Sequence, residues 1–352
     1  MSVLLSQVDI GDSLGEGGQA QVFRVNGHPE LALKIYHAAV LPGLRTQVLR
    51  NLVAELGNLS LEGRPITYWA TWPVDTVVNH SGHVVGFLMP VIGADFFMSE
   101  GNLAGRPADF RYLAAEPAPK WGDVSLPDVG TRLRLLAQLA GILQQLHHRR
   151  MVVGDLSSFN AVWSTRPEPR VMLVDCDGIR PPIGPPVADG FETPDWMDPE
   201  AVPNASADVD RDCYKFALMV LRVLTRKVSV RPRASGDHSL VGLNDRMAES
   251  IDELLRRAAG APGTRPSATE WRFALQGRPV RRVKTRPATT PFIWPHGGGE
   301  PVLTEPGVRR WQQVAPPPRP SIDHVDSPLE APAAFQDTRR VWKPIEPPTR
   351  YP

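Results

Sequence analysis

The residues with the most chemical content in this chain are three glycines, a lysine and a handful of acids. In "LGEGGQAQVFRV", Gly15, Gly17 and Gly18 stand between two strand-like segments. Glycine lets backbone N–H groups approach phosphate oxygens with no Cβ in the way, although a hairpin turn with no ligand accounts for the same glycines. Lys34 lies inside the apolar run "LALKIY", where an ammonium needs an anion or a carboxylate to compensate its burial. Glu55, in "RTQVLRNLVAELGNL", is the nearest downstream acid and the candidate partner; an exposed glutamate on a helix surface is the alternative. Further on, Asp155 and Asn160 stand five positions apart in the hydrophobic setting "MVVGDLSSFNAVW".

The elements that must position these residues change character along the chain. "VFRV", "LALKIY" and "HVVGFLMPVI" read as strands. "GTRLRLLAQLAGILQQLHHRR" has Leu135, Leu139, Ile142, Leu143 and Leu146 at helical spacing, with cations at its C-terminal end where the dipole favours them. "RDCYKFALMVLRVLTRK" reads as a second, almost wholly apolar helix. The expectation is an α+β chain: a strand-rich N-terminal part of about 90 residues, a connector containing helix or contacting a partner, and a larger helical part.

Taken in order, these features resemble the protein-kinase superfamily. Gly15-Glu16-Gly17-Gly18-Gln19-Ala20-Gln21-Val22 is similar to its phosphate-covering loop, with Ala20 in place of the third glycine, and Ala32-Leu33-Lys34 to its ATP-positioning lysine strand. "VVGDLSSFN" resembles the catalytic loop, which implies that Asp155 accepts the proton of the acceptor hydroxyl and that Asn160 holds Mg2+. "VMLVDCDGI" places Asp175 where the family has its second magnesium-chelating residue. "TPDWMDPE" resembles the end of an activation segment, with Glu200 as its closing acid and Arg265 as the arginine that pairs with it. Asp212 matches the buried aspartate that braces the catalytic-loop backbone.

The resemblance covers residues 15 to 271 and is nearest to bacterial Ser/Thr kinases of eukaryotic type. It implies a bilobal protein-kinase-like fold: a kinase-like domain over 1–276, with a small β-rich N-lobe over about 1–90 and a larger helical C-lobe over about 91–276, followed by a Pro-rich tail over 277–352. ATP and Mg2+ are the implied cofactors, with adenine at Met89-Pro90-Val91. A protein substrate is implied, and a metal-dependent Ser/Thr phosphatase or a von Willebrand A-domain protein is an implied partner.

Two departures keep other readings open. Val153-Gly154 replaces the His-Arg before the catalytic aspartate, so phosphorylation of Thr193 is not expected to be an obligatory switch. Ser157 stands where protein Ser/Thr kinases carry a lysine on the transferring phosphate. Gly154-Asp155-Leu156 followed by Asn160 also resembles small-molecule kinases of the aminoglycoside and choline type. A nucleotide-binding pseudokinase scaffold is the alternative from a different class.

Composition bounds the rest. The 39 basic and 38 acidic residues give no global attraction to nucleic acid or a membrane surface. Only Cys176 and Cys213 occur, too few for a disulfide framework. The opening "MSVLLSQVDIGDSLGEGG" has no basic n-region before a long apolar core, and no apolar run approaches a membrane span, so a cytoplasmic chain is expected. From Gly277 onwards, Pro, Arg and Gly dominate, and 12 Lys/Arg stand against 7 Asp/Glu. A solvated linker and a docking segment both fit that tail, the second because of Phe292, Trp294, Trp311, Phe335 and Trp342.

Overall fold

The computed structural model describes residues 2–181, 184–190, 192–201 and 208–280, and the backbone of 340–342. The sequence reading of the tail from 277 therefore lies outside the described residues, apart from 277–280 and that three-residue backbone. The expected α+β class is present, as a mixed sheet in the N-terminal region followed by helices.

Strands β1 (Ser2–Leu4), β2 (Ile10–Gly17), β3 (Ala20–Val25) and β4 (Leu31–Tyr36) come first, then helix α1 (Thr46–Glu55). The two-residue strands β5 (Ser60–Leu61) and β6 (Arg64–Pro65) lead into the single turn α2 (Ile66–Trp69), followed by β7 (Asp75–Val78) and β8 (Val84–Pro90). The main sheet runs β1-β7-β8-β4-β3-β2, and a last strand, β11 (Arg340–Trp342), closes it beyond β2. Its pairings are antiparallel except for β1 with β7.

Side chains alternate across a strand, and β4 divides its residues between two cores accordingly. Leu33 packs into a small apolar cluster with Val3, Val25, Val77 and Leu88 on one face of the sheet. Ala32 and Tyr36 join the main core on the other. The period of two puts Lys34 on the face of Ala32 and Tyr36, between Val22 of β3 and Phe87 of β8.

The connector from 93 to 128 contains the short helix α3 (Arg111–Ala114) and 3-10 turns, and buries Phe96, Phe110 and Leu113 completely. Helix α4 (Val129–His148) comes after it; Asp128 caps it by accepting from the Thr131 amide. All five of its periodic residues, Leu135, Leu139, Ile142, Leu143 and Leu146, are fully buried.

A hairpin of β9 (Ala161–Ser164) and β10 (Arg170–Leu173) comes next, then α5 (Val209–Thr225), α6 (Asp245–Ala258) and α7 (Ala268–Leu275). Asp208 caps α5, and Ser267 with Glu270 forms a capping box on α7. No helix among the described residues is long and apolar enough to cross a membrane.

Candidate active site

A cavity of about 970 Å³ opens between the sheet and the helical part. Its roof is the end of β2 and the start of β3, where Gly15, Gly17, Gly18, Ala20 and Val22 line it. Lys34 reaches it from β4, and Asp155, Asn160 and Asp175 form its floor. The chain thus brings together residues as far apart as 15 and 211.

The β9–β10 hairpin explains the floor. Asn160 immediately precedes β9, and Asp175 lies two residues beyond β10. Pairing Ala161 with Leu173 brings the two ends of the hairpin side by side, and the Val174 amide donates to the Asn160 carbonyl at 2.9 Å. Asn160 Nδ2 in turn donates to the Asp155 carbonyl at 2.5 Å and to its Oδ2 at 3.1 Å. Asp175 takes a left-handed backbone conformation (φ 65°), which Asp tolerates better than most residues.

Lys34 is held by two carboxylates from one turn. Its Nζ lies 3.0 Å from Asp175 Oδ1 and 2.7 and 2.9 Å from the two oxygens of Asp177. The Tyr36 hydroxyl donates to Asp177 Oδ2 at 2.8 Å. Burial first, and then the Asp177 charge, push the Tyr36 pKa well up, so the phenol stays a donor. The Lys34 ammonium also lies 5.6 Å from the centre of the Phe87 ring.

Glu55, the carboxylate expected for Lys34, is buried and is engaged by other residues as well. The ion pair found for Glu55 runs to Arg149 at 3.2 Å, and Asn58 donates to the same oxygen at 3.3 Å. Glu55 sits at the C-terminal end of α1, where α1 passes into a 3-10 turn near the end of α4. Asp177 sits directly beneath the sheet and engages Lys34.

Asp155 is bound on both carboxylate oxygens. The Thr193 amide donates to Oδ1 at 2.8 Å, and its hydroxyl donates to Oδ2 at 3.1 Å and lies 3.2 Å from Ser157 Oγ. Asp212 braces this loop from below as expected: fully buried in the first turn of α5, it accepts the amides of Val153 at 2.7 Å and Gly154 at 2.9 Å, and His147 Nε2 is 3.2 Å away. Lys215, one turn along, donates to the Gly154 carbonyl at 2.6 Å and pairs with Glu192 at 2.9 Å.

The partner expected for Arg265 is corrected. Its guanidinium meets Asp198, with Nη2 to Oδ1 at 2.9 Å, and Asp210 at 3.0 Å. Glu200 is exposed, and its amide caps the Asp198 side chain at 3.0 Å. The two acids stand two positions apart, with Pro199 between them, and Asp198 is the one that turns inward beside the start of α5.

Ala32 and Met89 face each other across β4 and β8 and are buried. The Val91 amide donates to the Glu30 carbonyl at 3.0 Å. These three do not line the cavity. Its far end is lined instead by Arg180, Glu192 and Arg211, none of which sequence reasoning selected. Burial pushes the Arg180 pKa down, against the raising effect of Asp212, Glu192 and Asp155.

For a metal, the floor offers the Asp175 carboxylate and the Asn160 side-chain amide, both oxygen ligands. That set suits Mg2+, which takes one or two carboxylates and shares the rest of its shell with phosphate and water. Among the described residues, no group of three or more His, Cys, Asp or Glu is arranged to hold a metal unaided. No family model matches the chain, and no curated protein sequence matches it.

Proposed function

We propose that the chain is an ATP-dependent phosphotransferase of the protein-kinase type, with the sheet as the small lobe, the helices as the large one, and a Ser or Thr hydroxyl of a protein as acceptor. The observation that carries this reading is the convergence of Lys34, Asp155, Asn160 and Asp175 beneath the Gly15–Gly18 turn in one cavity.

In this reading the backbone around Gly15–Gly18 covers the phosphates of ATP, and Lys34, aligned by Asp175 and Asp177, faces them. Bound Mg2+, held by Asn160 and Asp175, supplies charge neutralisation on the phosphate oxygens. The acceptor oxygen attacks the γ-phosphorus, its proton passes to Asp155, and the bond to the β-phosphate oxygen breaks to release ADP. Asp155 is pre-aimed by Asn160 and by the loop that Asp212 braces, so positioning supplies much of the rate. The acceptor hydroxyl takes the bond to Oδ2 that Thr193 makes here.

A protein acceptor is favoured over a small molecule by the segment from Thr193 to Asp198. The buried Arg265–Asp198 pair fixes one end of it and Asp155 the other, which makes a platform beside the cavity.

The test is mass-spectrometric detection of phosphate transferred from Mg-ATP to the protein itself and to a generic protein acceptor, beside Asp155→Asn. Sites present in the wild type and absent in the variant support the reading. Nucleotide binding without transfer to any hydroxyl overturns it in favour of a scaffold, and transfer confined to small alcohols moves it to the small-molecule class.

A further inference from the structure

The strand nearest the phosphate-covering turn is held from outside by the far end of the chain. β11 pairs antiparallel with β2, placing Arg340 opposite Gly17, Val341 opposite Glu16 and Trp342 opposite Gly15. Without it β2 would be an edge strand, with a row of unpaired N–H and C=O groups along the cavity roof.

On its other side that segment of β2 meets β3 and the His37 ring, which lies 2.9 Å from the Gly17 carbonyl. Its register with β3 shifts twice, between Ile10 and Ser13 and between Ser13 and Gly15, leaving only Gly15–Val22 and Glu16–Gln21 paired beyond the second shift. Two of its last three residues are glycines, which lose the most backbone freedom when ordered and offer no side chain to pack. A third strand therefore acts where the glycines and the shifted register weaken the ladder. Its sequence, Arg-Val-Trp, has the β-branched and aromatic residues that strands favour.

We propose that residues 340–342 are an intramolecular β-strand clamp on Gly15–Gly17, coupling the C-terminal segment to occupancy of the cavity. The clamp stands on the strand pairing alone; that the coupled ligand is a nucleotide rests on the function proposed above. By linkage, a strand that orders the roof before the ligand arrives raises ligand affinity, and a bound ligand strengthens the strand's hold by the same factor.

The test uses the full-length chain and a full-length Val341→Pro/Trp342→Pro variant. Neighbouring residues of a strand direct their N–H groups to opposite sides, so the two prolines remove a ladder donor whichever of them faces β2. Amide hydrogen exchange is read without nucleotide on peptides covering residues 10–20, with α4 peptides as the folding control. The expected result is exchange at least about tenfold faster across Gly15–Gly17 in the variant, with α4 unchanged, and Mg-ATP affinity weakened about fivefold or more. If α4 exchange also rises, a chain lacking 340–342 replaces the variant and is read in the same way.

Equal exchange across Gly15–Gly17 overturns the clamp. Faster exchange with unaltered Mg-ATP affinity overturns the coupling. Protection that disappears on dilution places the strand in the sheet of a second copy and overturns the intramolecular arrangement. If neither chain binds Mg-ATP, the nucleotide reading fails on its own, and faster exchange in the variant still supports the clamp.

Discussion

The guanidinium of Arg180 fills the volume that a side chain on Gly154 would need. A Cβ at 154 would stand 2.6 Å from Nη1 and 3.1 Å from Cζ, at a backbone position with φ 78°. The alignment is held by reciprocal backbone bonds between Val152 and Arg180, at 2.8 and 3.1 Å. A cation is thus delivered against Gly154, the residue before Asp155, from the segment after Asp175.

Gly154→Ala should therefore damage the site twice, by about 1–2 kcal/mol of left-handed strain and by expelling the guanidinium. Arg180→Gln keeps the glycine and isolates the second effect. Phosphate-transfer rates are expected to fall at least about tenfold in both, while only Gly154→Ala lowers the thermal midpoint by several degrees. Full turnover in Arg180→Gln would show that the cation serves packing alone.

Asp177 meets Lys34 with both oxygens, at 2.7 and 2.9 Å, and Asp175 lies 3.0 Å away. Asp177→Asn keeps an acceptor for Tyr36 but removes a full charge from Lys34, so KM for ATP should rise about tenfold with a smaller change in kcat. Glu55→Gln should instead weaken the pair to Arg149 and lower stability, with KM near the wild-type value. The reverse ranking, read from steady-state kinetics over a range of ATP concentrations, would return the alignment of Lys34 to Glu55.

What the sequence disclosed depended on whether a local period or a short-range spacing carried it. Lys34 was legible because it is the one charge in the apolar run "LALKIY", where an ammonium needs a compensating anion. Asn160 and Asp175 were legible as a pair of loop residues, although the hairpin that joins them could only be seen folded. Asp177 was not, because a two-residue offset within a tight turn decides which carboxylate meets Lys34, and no periodicity reports it. Lys215 was hidden in an apolar helix pattern, where one cation reads as a surface residue. The three-residue β11 has too few alternations to show a period, and its neighbours in sequence are arginine and lysine, then proline.

Asp198 and Glu200 provide a stability test of the same offset. Both side chains of the Arg265–Asp198 pair are 1% exposed, and removing one partner of such a pair costs about 3–5 kcal/mol. Asp198→Asn should show that loss in urea unfolding, whereas Glu200→Gln, at an exposed position, should stay within about 0.5 kcal/mol of the wild type. Equal effects would mean that Glu200 shares the anchoring.

Cys176 lies between Asp175 and Asp177, buried, with its thiol pKa pushed up to about 12 by burial first and then by the Asp177 charge. Burial also raises Cys213 well above the usual range. The nucleophile is the thiolate, so neither cysteine should react with a thiol reagent at pH 8 until the chain unfolds. The same shift has a sign for stability. The folded state holds the Cys176 proton more tightly than the unfolded one, whose thiol ionises near pH 9; below that pH the two states do not differ in this group. As pH rises from about 9 towards 12, the unfolded chain loses its proton first, and stability falls by about 1.4 kcal/mol per unit. Urea unfolding at pH 8 and pH 10.5 of the wild type and Cys176→Ala should show the gap between them narrowing by about 2 kcal/mol at the higher pH. A gap that stays constant would mean that the thiol ionises at its ordinary pKa in the folded chain, and that the floor of the cavity is wetter than the burial of Cys176 implies.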